Sequence, residues 1–149
     1  MIEVKNLTFS YGKDKQALKG INFTVGDGEI FGFLGPNGSG KSTTQKILTG
    51  ILKGHGGDVS LFGQSISTVH TREFYQKIGV LFEFPYLYAN LSAVDNLKYF
   101  AYFYPVEQRR DIGEVLEKLE FKKDFQKKPV SSYSKGMRQR VSMARALIS

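Results

Sequence analysis

The sequence predicts an α/β fold, and three features of the 149-residue chain indicate it. A glycine-rich loop, GPNGSGKST at residues 35–43, stands between a strand-like and a helix-like run and matches the phosphate-binding pattern G-x-x-x-x-G-K-[ST]. Two alternating apolar segments near the N-terminus are typical of β-strands. After Glu83 the pattern changes from strands to helices. We therefore expect an α/β core with the loop over residues 1–82 and a mainly helical part over residues 83–149.

The N-terminal segments are expected to form a small antiparallel platform. Residues 2–9 and 21–25 each alternate between apolar and other side chains, and a turn-rich link joins them. The tight turn Gly-Asp-Gly then leads into the apolar run EIFGFL at residues 29–34. We predict that this run is the strand that carries the phosphate-binding loop. A further short strand and turn are expected at residues 59–63.

The loop itself has the residues that polyphosphate binding needs. Gly35, Gly38 and Gly40 let backbone N–H groups approach the phosphates without a side chain in the way. The helix expected at residues 41–52 directs the positive end of its dipole to the same place. Lys41 supplies a mobile charge for the β- and γ-phosphates, and the Ser42 hydroxyl is suited to ligate Mg²⁺.

The middle of the chain predicts one more strand. A short helix is plausible at residues 71–77, and the continuous apolar run IGVLF at residues 78–82 is typical of a strand buried on both faces. His55 and His70 are expected to be surface residues, because neither belongs to a recognisable site.

The helical part has several start signals. Ser92 and Asp95 form a capping box for a helix that is expected to reach Tyr104, after a loop at residues 85–90. Pro105 is expected to open a second helix at its first turn. The aromatic side chains of the helical part could form a surface for a partner, although packing within the helical part is the favoured interpretation. Ser134 is a natural N-cap for a C-terminal helix, and with the basic first turn it forms a second potential polyphosphate site.

Composition excludes several classes of protein. The chain has no cysteine, so it has no disulfide and no thiolate metal site. Its N-terminus lacks the pattern of a signal peptide, and no apolar run approaches the roughly 18 residues that cross a bilayer. Any role at a membrane would therefore need another chain, or a part outside this sequence.

The net charge of +7 is unevenly distributed. Nine basic and two acidic residues lie between Lys118 and Arg145, so this segment accounts for the whole excess. Such a block raises the possibility of nucleic-acid or anionic-membrane binding. It lacks the interleaved aromatic residues of a base-stacking surface. A solvated face, or charge offset by acidic sequence elsewhere, is the favoured interpretation, and no nucleic-acid partner is expected.

Together these motifs make essentially the whole chain resemble the N-terminal part of an ATP-binding cassette (ABC) ATPase, the nucleotide-binding subunit of an exporter-type ABC transporter. The resemblance implies an ABC-type P-loop NTPase core, incomplete here, with an antiparallel β platform and a helical subdomain. It implies that Tyr11 stacks on adenine and that Thr43 contacts the α-phosphate. The implied nucleotide-binding residues are Tyr11, Gly35, Pro36, Asn37, Gly38, Ser39, Gly40, Lys41, Ser42 and Thr43.

The sequence YSKGM at residues 133–137 is a looser match to the family's signature motif. In the family this motif contacts the γ-phosphate of ATP on the opposite subunit of a head-to-tail dimer. The resemblance therefore implies that Ser134, Lys135, Gly136 and Met137 act in trans.

Two departures limit the resemblance. Glu83 stands where the family usually has the Q-loop glutamine, and a carboxylate there could still ligate Mg²⁺. The resemblance therefore implies Lys41 and Glu83 as the catalytic candidates. The metal candidates that it implies are Ser42 and Glu83. The chain also ends before the family's Walker B strand, Mg²⁺-binding Asp, catalytic Glu and switch His. We therefore expect the core sheet to have a gap with exposed apolar edges, which favours pairing with other chains. We also expect no ATP hydrolysis by this chain alone.

The function that the resemblance implies is ATP binding with Mg²⁺, coupled in the full-length parent to export through integral membrane subunits. The subunit would form a homodimer and lie peripherally at the cytoplasmic face of the membrane. The surface that transmits ATP-driven dimerisation to the membrane subunits would consist of residues 85–90 and the following helix. An alternative is a soluble ABC-type ATPase acting on ribosomes or DNA. A third alternative is a P-loop kinase or GTPase, which would share the loop. That assignment does not explain why Tyr11 and YSKGM flank it.

Overall fold

The computed structural model describes residues 1–68 and 72–148, and it divides into two compact units, Met1–Thr71 and Arg72–Ser149. This division by contacts lies near the functional boundary predicted after Phe82, which stays a prediction.

The first unit contains a four-stranded antiparallel sheet in the order β2-β1-β3-β4. Its strands are β1 (Ile2–Ser10), β2 (Gln16–Val25), β3 (Gly56–Leu61) and β4 (Gln64–Ser65). Val4, Leu7 and Phe9 of β1 lie in the buried core with Leu18 and Val59. Leu7 and Phe9 follow the alternation of a strand, and the register shift between Val4 and Leu7 lets Val4 be buried with them. The antiparallel platform predicted from the alternation is therefore confirmed.

The helix after the phosphate-binding loop is α1, which spans Lys41–Leu48 and is shorter than the predicted range of 41–52. Its buried residues are Thr43, Thr44 and Ile47. Thr49 ends the helix, with its backbone N–H donating to Gln45 O at 3.0 Å. The first unit thus presents the start of α1 beside the sheet.

The strand predicted at residues 29–34 is wrong, because this segment belongs to no sheet in the part of the chain that the structure describes. The segment still alternates as a strand would. The rings of Phe31 and Phe33 each lie 5.2 Å from the ring of Phe23 on β2, whereas Ile30 and Leu34 are fully exposed. A β-strand requires a hydrogen-bonded neighbour, and no described strand pairs with this segment.

The strand predicted at residues 78–82 is also wrong for the described residues, because IGVLF lies outside the sheet and Leu81 and Phe82 are exposed. The helix before it, α2, spans Arg72–Tyr75, within the predicted range of 71–77. Thr71, where that prediction began, and His70 lie outside the described residues.

The second unit is helical, as predicted. It contains α3 (Ala93–Ala101), α4 (Ile112–Lys118) and α5 (Lys135–Leu147), with single 3₁₀ turns at Val106–Gln108, Lys123–Phe125 and Val130–Ser132. The fully buried side chains that join the three helices are Ala93, Leu97, Leu116, Val141, Ala144 and Ile148. They fall on one side of each helix, which explains why the segments are amphipathic.

The helix boundaries differ from prediction in two places. The helix α3 ends at Ala101, before the predicted Tyr104. Pro105 precedes a 3₁₀ turn instead of opening an α-helix, and α4 begins later because Asp111 caps it. The carboxylate of Asp111 accepts from the Glu114 N–H at 2.9 Å, which satisfies one of the free donors at the helix start.

Candidate nucleotide-binding site

The Lys41 ammonium lies against the first residues of the phosphate-binding loop. Its Nζ donates to the carbonyl oxygens of Gly35 at 2.7 Å and Pro36 at 2.8 Å, and lies 3.4 Å from Ser39 Oγ. All three partners are neutral, and no carboxylate pairs with Lys41 in the described structure. The first turn of α1 also contains no acidic residue. The start of α1 therefore has uncompensated positive charge.

Two glycines give this loop its path. Gly40, the N-cap of α1, has φ of 94°, and an added Cβ would come within 2.5 Å of Leu18 Cδ2 and 3.1 Å of the Ala17 carbonyl oxygen. Glycine is thus needed for the start of α1 to pack on β2. Gly38 has φ of 86°, and an added Cβ there would meet no atom within 4 Å. The loop is fixed to the sheet at Gly40 and open at Gly38.

These observations fit a nucleotide polyphosphate. The loop provides open space beside a backbone that only glycine adopts easily, next to a cation and a helix N-terminus without acidic neighbours. A site that binds a cation would instead be lined with carboxylates. The residues present therefore suit an anion.

Tyr11 and Thr43, which the family resemblance assigns to one nucleotide, contact each other. Tyr11 Oη lies 3.1 Å from Thr43 Oγ1, and the Tyr11 ring packs edge-on against Phe9 with centroids 5.0 Å apart. Thr43 is buried, whereas 52% of Tyr11 is exposed. The first unit thus brings an exposed aromatic ring to the first turn of α1.

The two metal candidates lie in different units. Ser42 is exposed at the start of α1, and Glu83 is exposed in the second unit. Among residues 1–68 and 72–148 no group of three or more His, Cys, Asp or Glu side chains could hold a metal ion. A Mg²⁺ ion at Ser42 would be held by the hydroxyl together with phosphate oxygens and waters, which is the usual arrangement for this ion.

The predicted signature residues form the start of α5, the 13-residue helix Lys135–Leu147. Ser134 is the N-cap, and its Oγ accepts from the Met137 N–H at 3.2 Å. Lys135 and Gly136 are exposed, and Met137 is half-buried against the helical core. Ser134 and Gly136 therefore lie at an accessible helix N-terminus.

Tyr133 positions this helix start, and the sequence did not indicate its role. Its hydroxyl lies 2.6 Å from Phe125 O and 2.9 Å from Lys128 O, and it accepts from the Ala93 N–H at 3.2 Å. Burial raises the pKa of Tyr133. The one feature of the sequence that could have indicated the role of Tyr133 was its position immediately before Ser134.

Sequence reasoning also missed Asn96 and Arg145. Asn96 is fully buried, and its side-chain amide bonds to both the N–H and the carbonyl of Tyr88, at 2.8 and 3.0 Å. The Arg145 guanidinium lies 4.9 Å from the Phe100 ring centroid and donates to Tyr86 O at 3.3 Å. Burial lowers the pKa of Arg145. The sequence could have indicated the buried position of Asn96, because it is a polar residue within the apolar stripe of a helix.

His55, which was expected to be a surface residue, keeps part of its surface exposed. His55 is half-buried, its Nε2 lies 3.3 Å from Ser67 Oγ, and its Nδ1 is buried without a hydrogen-bond partner. Burial lowers the pKa of His55, because a charged ring loses hydration there. The corresponding expectation for His70 falls outside the described residues.

Comparison with known proteins gives consistent matches. The family model described as ABC transporter matches residues 18–149. A fluoroquinolones export ATP-binding protein of Mycobacterium tuberculosis is 42% identical over 149 residues, covering 99% of this chain and 48% of that protein. A bacitracin transport ATP-binding protein of Bacillus licheniformis is 38% identical, covering 99% of this chain and 47% of its own length. The chain thus spans about half the length of these curated relatives.

Solved structures agree. A dimeric ATP-binding cassette in a post-hydrolysis state, bound to ADP and phosphate, superposes with a TM-score of 0.82 at 30% identity, covering 99% of this chain and 69% of that one. The ATP-binding subunit of an ABC transporter superposes with a TM-score of 0.82 at 26% identity, covering 99% and 62%. With the matched family model, these findings establish that the chain belongs to the ABC transporter family.

Proposed function

We propose that this chain is the ATP-binding part of an ABC transporter subunit that couples ATP binding and hydrolysis to export. One observation carries the proposal. Among residues 1–68 and 72–148 the Lys41 ammonium is held only by neutral loop oxygens at the start of α1, where Tyr11 contacts Thr43. A cation in such a place can exchange backbone oxygens for phosphate oxygens, which are stronger acceptors.

Each loop residue then has a role in binding. Lys41 would bind the β- and γ-phosphates, and the backbone N–H groups at Gly38 and Gly40 would bind phosphate oxygens. Thr43 would contact the α-phosphate, and the exposed Tyr11 ring would stack on the base. Ser42 would hold Mg²⁺, which supplies charge neutralisation for the phosphates when bound. The residues Gly35, Pro36, Asn37 and Ser39 would complete the loop.

Hydrolysis requires more than this site. In-line attack on the γ-phosphate needs a positioned water, a group that polarises it and a held metal. Glu83 is our candidate in the Q-loop position, and Ser134, Lys135, Gly136 and Met137 would act on the nucleotide of a second subunit. We propose that the site at α1 binds ATP and that hydrolysis draws on these further groups.

The export role rests on the relatives. Their names refer to fluoroquinolones, bacitracin and lantibiotics, which are chemically different, so we propose export without naming a substrate. None of the helices in the described residues is long and apolar enough to cross a membrane. The partners that we propose are separate membrane subunits on the cytoplasmic face, bound through residues 85–90 and α3, together with a second copy of the cassette. The exposed aromatic residues Tyr86, Tyr88, Tyr99 and Phe103 support a contact surface there.

Calorimetric titration of the chain with ATP and Mg²⁺ tests the site. We expect saturable binding that falls about 10- to 100-fold in Lys41→Ala, because a charged hydrogen bond contributes roughly 1.5–3 kcal/mol. Lys46→Ala is the matched control, since Lys46 is exposed on the same helix away from the loop. Equal affinities of Lys41→Ala and the unaltered chain would contradict the proposal.

A further inference from the structure

The second unit contains an open cleft of about 390 Å³ between the end of α4 and the start of α5. Its apolar lining comes from Phe121, Phe125 and Met137. Phe121 is buried, whereas Phe125 and Met137 are half-buried, so the cleft has a fixed floor and more accessible sides. A recess of this size can hold one large apolar side chain.

Basic side chains surround this cleft. Lys122 and Arg140 line it, and Lys128 Nζ lies 4.5 Å from the centroid of the Phe125 ring. Arg140 is fixed in place, because its Nη1 donates to the Glu120 carbonyl oxygen at 2.9 Å. We call the exposed lysines of this region the lysine cluster: Lys118, Lys122, Lys123, Lys127 and Lys128.

Within the described residues no ion pair involves the lysine cluster, whose five charges outnumber the two carboxylates of the same stretch, Glu120 and Asp124. The two ion pairs among the described residues join Met1 to Asp27 and Lys5 to Glu3, both in the first unit. The first turn of α5, which borders the cleft, has no acidic residue either. The surroundings of the cleft therefore present cations and N–H donors, with Glu120 as the acidic residue in its lining.

We propose that this cleft binds an acidic peptide segment that carries one large apolar side chain. The apolar group occupies the recess against Phe121, Phe125 and Met137, and the flanking carboxylates pair with Lys122, Lys123 and Lys128. A concave recess suits an inserted side chain better than a flat lipid surface. The buried Phe121 offers no row of exposed rings for stacked bases, so nucleic acid fits less well.

Docking at the cleft has a regulatory consequence that rests on the proposed function. Ser134 and Gly136, which we expect to contact ATP across a dimer, also line the cleft. A peptide seated there covers these residues, so peptide binding and the trans contact with ATP exclude each other. The acidic segment is thus an inhibitor of ATP-driven pairing.

The test is fluorescence anisotropy at low salt with the labelled peptide EDEDFEDED. We expect saturable binding, and weaker binding both of EDEDAEDED, which lacks the apolar group, and of KRKRFKRKR, which reverses the charge. The double variant Lys122→Glu/Lys128→Glu should weaken EDEDFEDED binding on the order of tenfold or more, because two favourable pairs become repulsive. Circular dichroism checks that the variant retains its helices.

The matched control is Lys13→Glu/Lys19→Glu, which makes the same charge change at exposed positions of the first unit. It should leave peptide affinity unchanged apart from a small long-range effect. The proposal is overturned by equal loss in both double variants, by no saturable binding of EDEDFEDED, or by EDEDAEDED binding equally well. It is also overturned if phosphatidylglycerol vesicles or duplex DNA bind more tightly than the peptide through the same lysines. ATP titration of the Lys122→Glu/Lys128→Glu variant measures the nucleotide site separately from peptide binding. A failure of the peptide proposal is therefore distinguishable from a failure of the proposed function.

Discussion

At the scale of single residues, Glu120 is in an unusual conformation for its type. It follows α4 with φ of 53°, in the left-handed region that favours glycine. The Phe121 N–H donates to Leu116 O at 2.9 Å, and the Glu120 N–H donates to Glu117 O at 2.9 Å. This is the Schellman pattern that ends helices, with glutamate at the position where glycine is most common.

Replacing Glu120 by glycine is therefore expected to stabilise the second unit, by roughly 0.5–1 kcal/mol, because the left-handed conformation costs glycine nothing. The carbonyl that Arg140 binds is part of the backbone and remains. Urea unfolding followed by helical circular dichroism measures the change. Glu117→Gly makes the same substitution inside α4 and should instead destabilise by about 1 kcal/mol. A loss of stability in Glu120→Gly would show that the carboxylate contributes more than the conformation costs.

At the scale of elements, Asn96 connects α3 to the loop before it. Its Oδ1 accepts from the Tyr88 N–H, and its Nδ2 donates to the carbonyls of Tyr88 and Ser92, at 3.0 and 2.9 Å. A fully buried amide with its hydrogen bonds satisfied fixes the backbone it contacts. The loop at residues 85–90, our proposed surface for membrane subunits, is therefore ordered by a residue of the helix that follows it.

Asn96→Ala should destabilise the second unit by about 2–3 kcal/mol, because it leaves the N–H and carbonyl of Tyr88 without these partners in a partly buried place. Amide hydrogen exchange at Tyr88 should become faster than at residues in α5, which reports loosening of the loop itself. Asn90→Ala is the control, since Asn90 is exposed on the same loop and should change stability by less than about 0.5 kcal/mol. Unchanged exchange at Tyr88 in Asn96→Ala would contradict this account of the loop.

At the scale of the whole chain, features set by neighbouring residues were predicted correctly more often than features that depend on contacts between distant residues. Ser92 and Ser134 were identified as N-caps, and both accept the expected N–H bond, because a cap depends on residues three positions away. The start of α1 directly after the glycine-rich loop was predicted equally well, because that signal also lies in consecutive residues. The runs at residues 29–34 and 78–82 have strand-like sequences, but a strand exists only with a partner. The bonds of Asn96 to Tyr88 and the cleft beside α5 depend on packing that no short pattern specifies.

The unpaired segment at residues 29–34 leads to a prediction about association. Ile30 and Leu34 are fully exposed on one side of an extended segment, while Phe31 and Phe33 pack on Phe23 on the other. A segment with exposed apolar side chains and no sheet partner among the described strands is a template for pairing with a second chain. We expect the chain to self-associate, and Ile30→Lys/Leu34→Lys to reduce the average mass measured by light scattering towards that of a monomer.

Val106→Lys/Tyr102→Lys is the matched control for this association, because both residues are exposed apolar positions in the second unit and the substitutions add the same charge. If charge repulsion alone kept chains apart, both double variants would lower the mass equally. A decrease confined to Ile30→Lys/Leu34→Lys would instead identify residues 29–34 as the pairing segment. A chain that is already monomeric over a wide concentration range would contradict the prediction, and would mean that the Phe23, Phe31 and Phe33 contacts stabilise this segment without a β-partner.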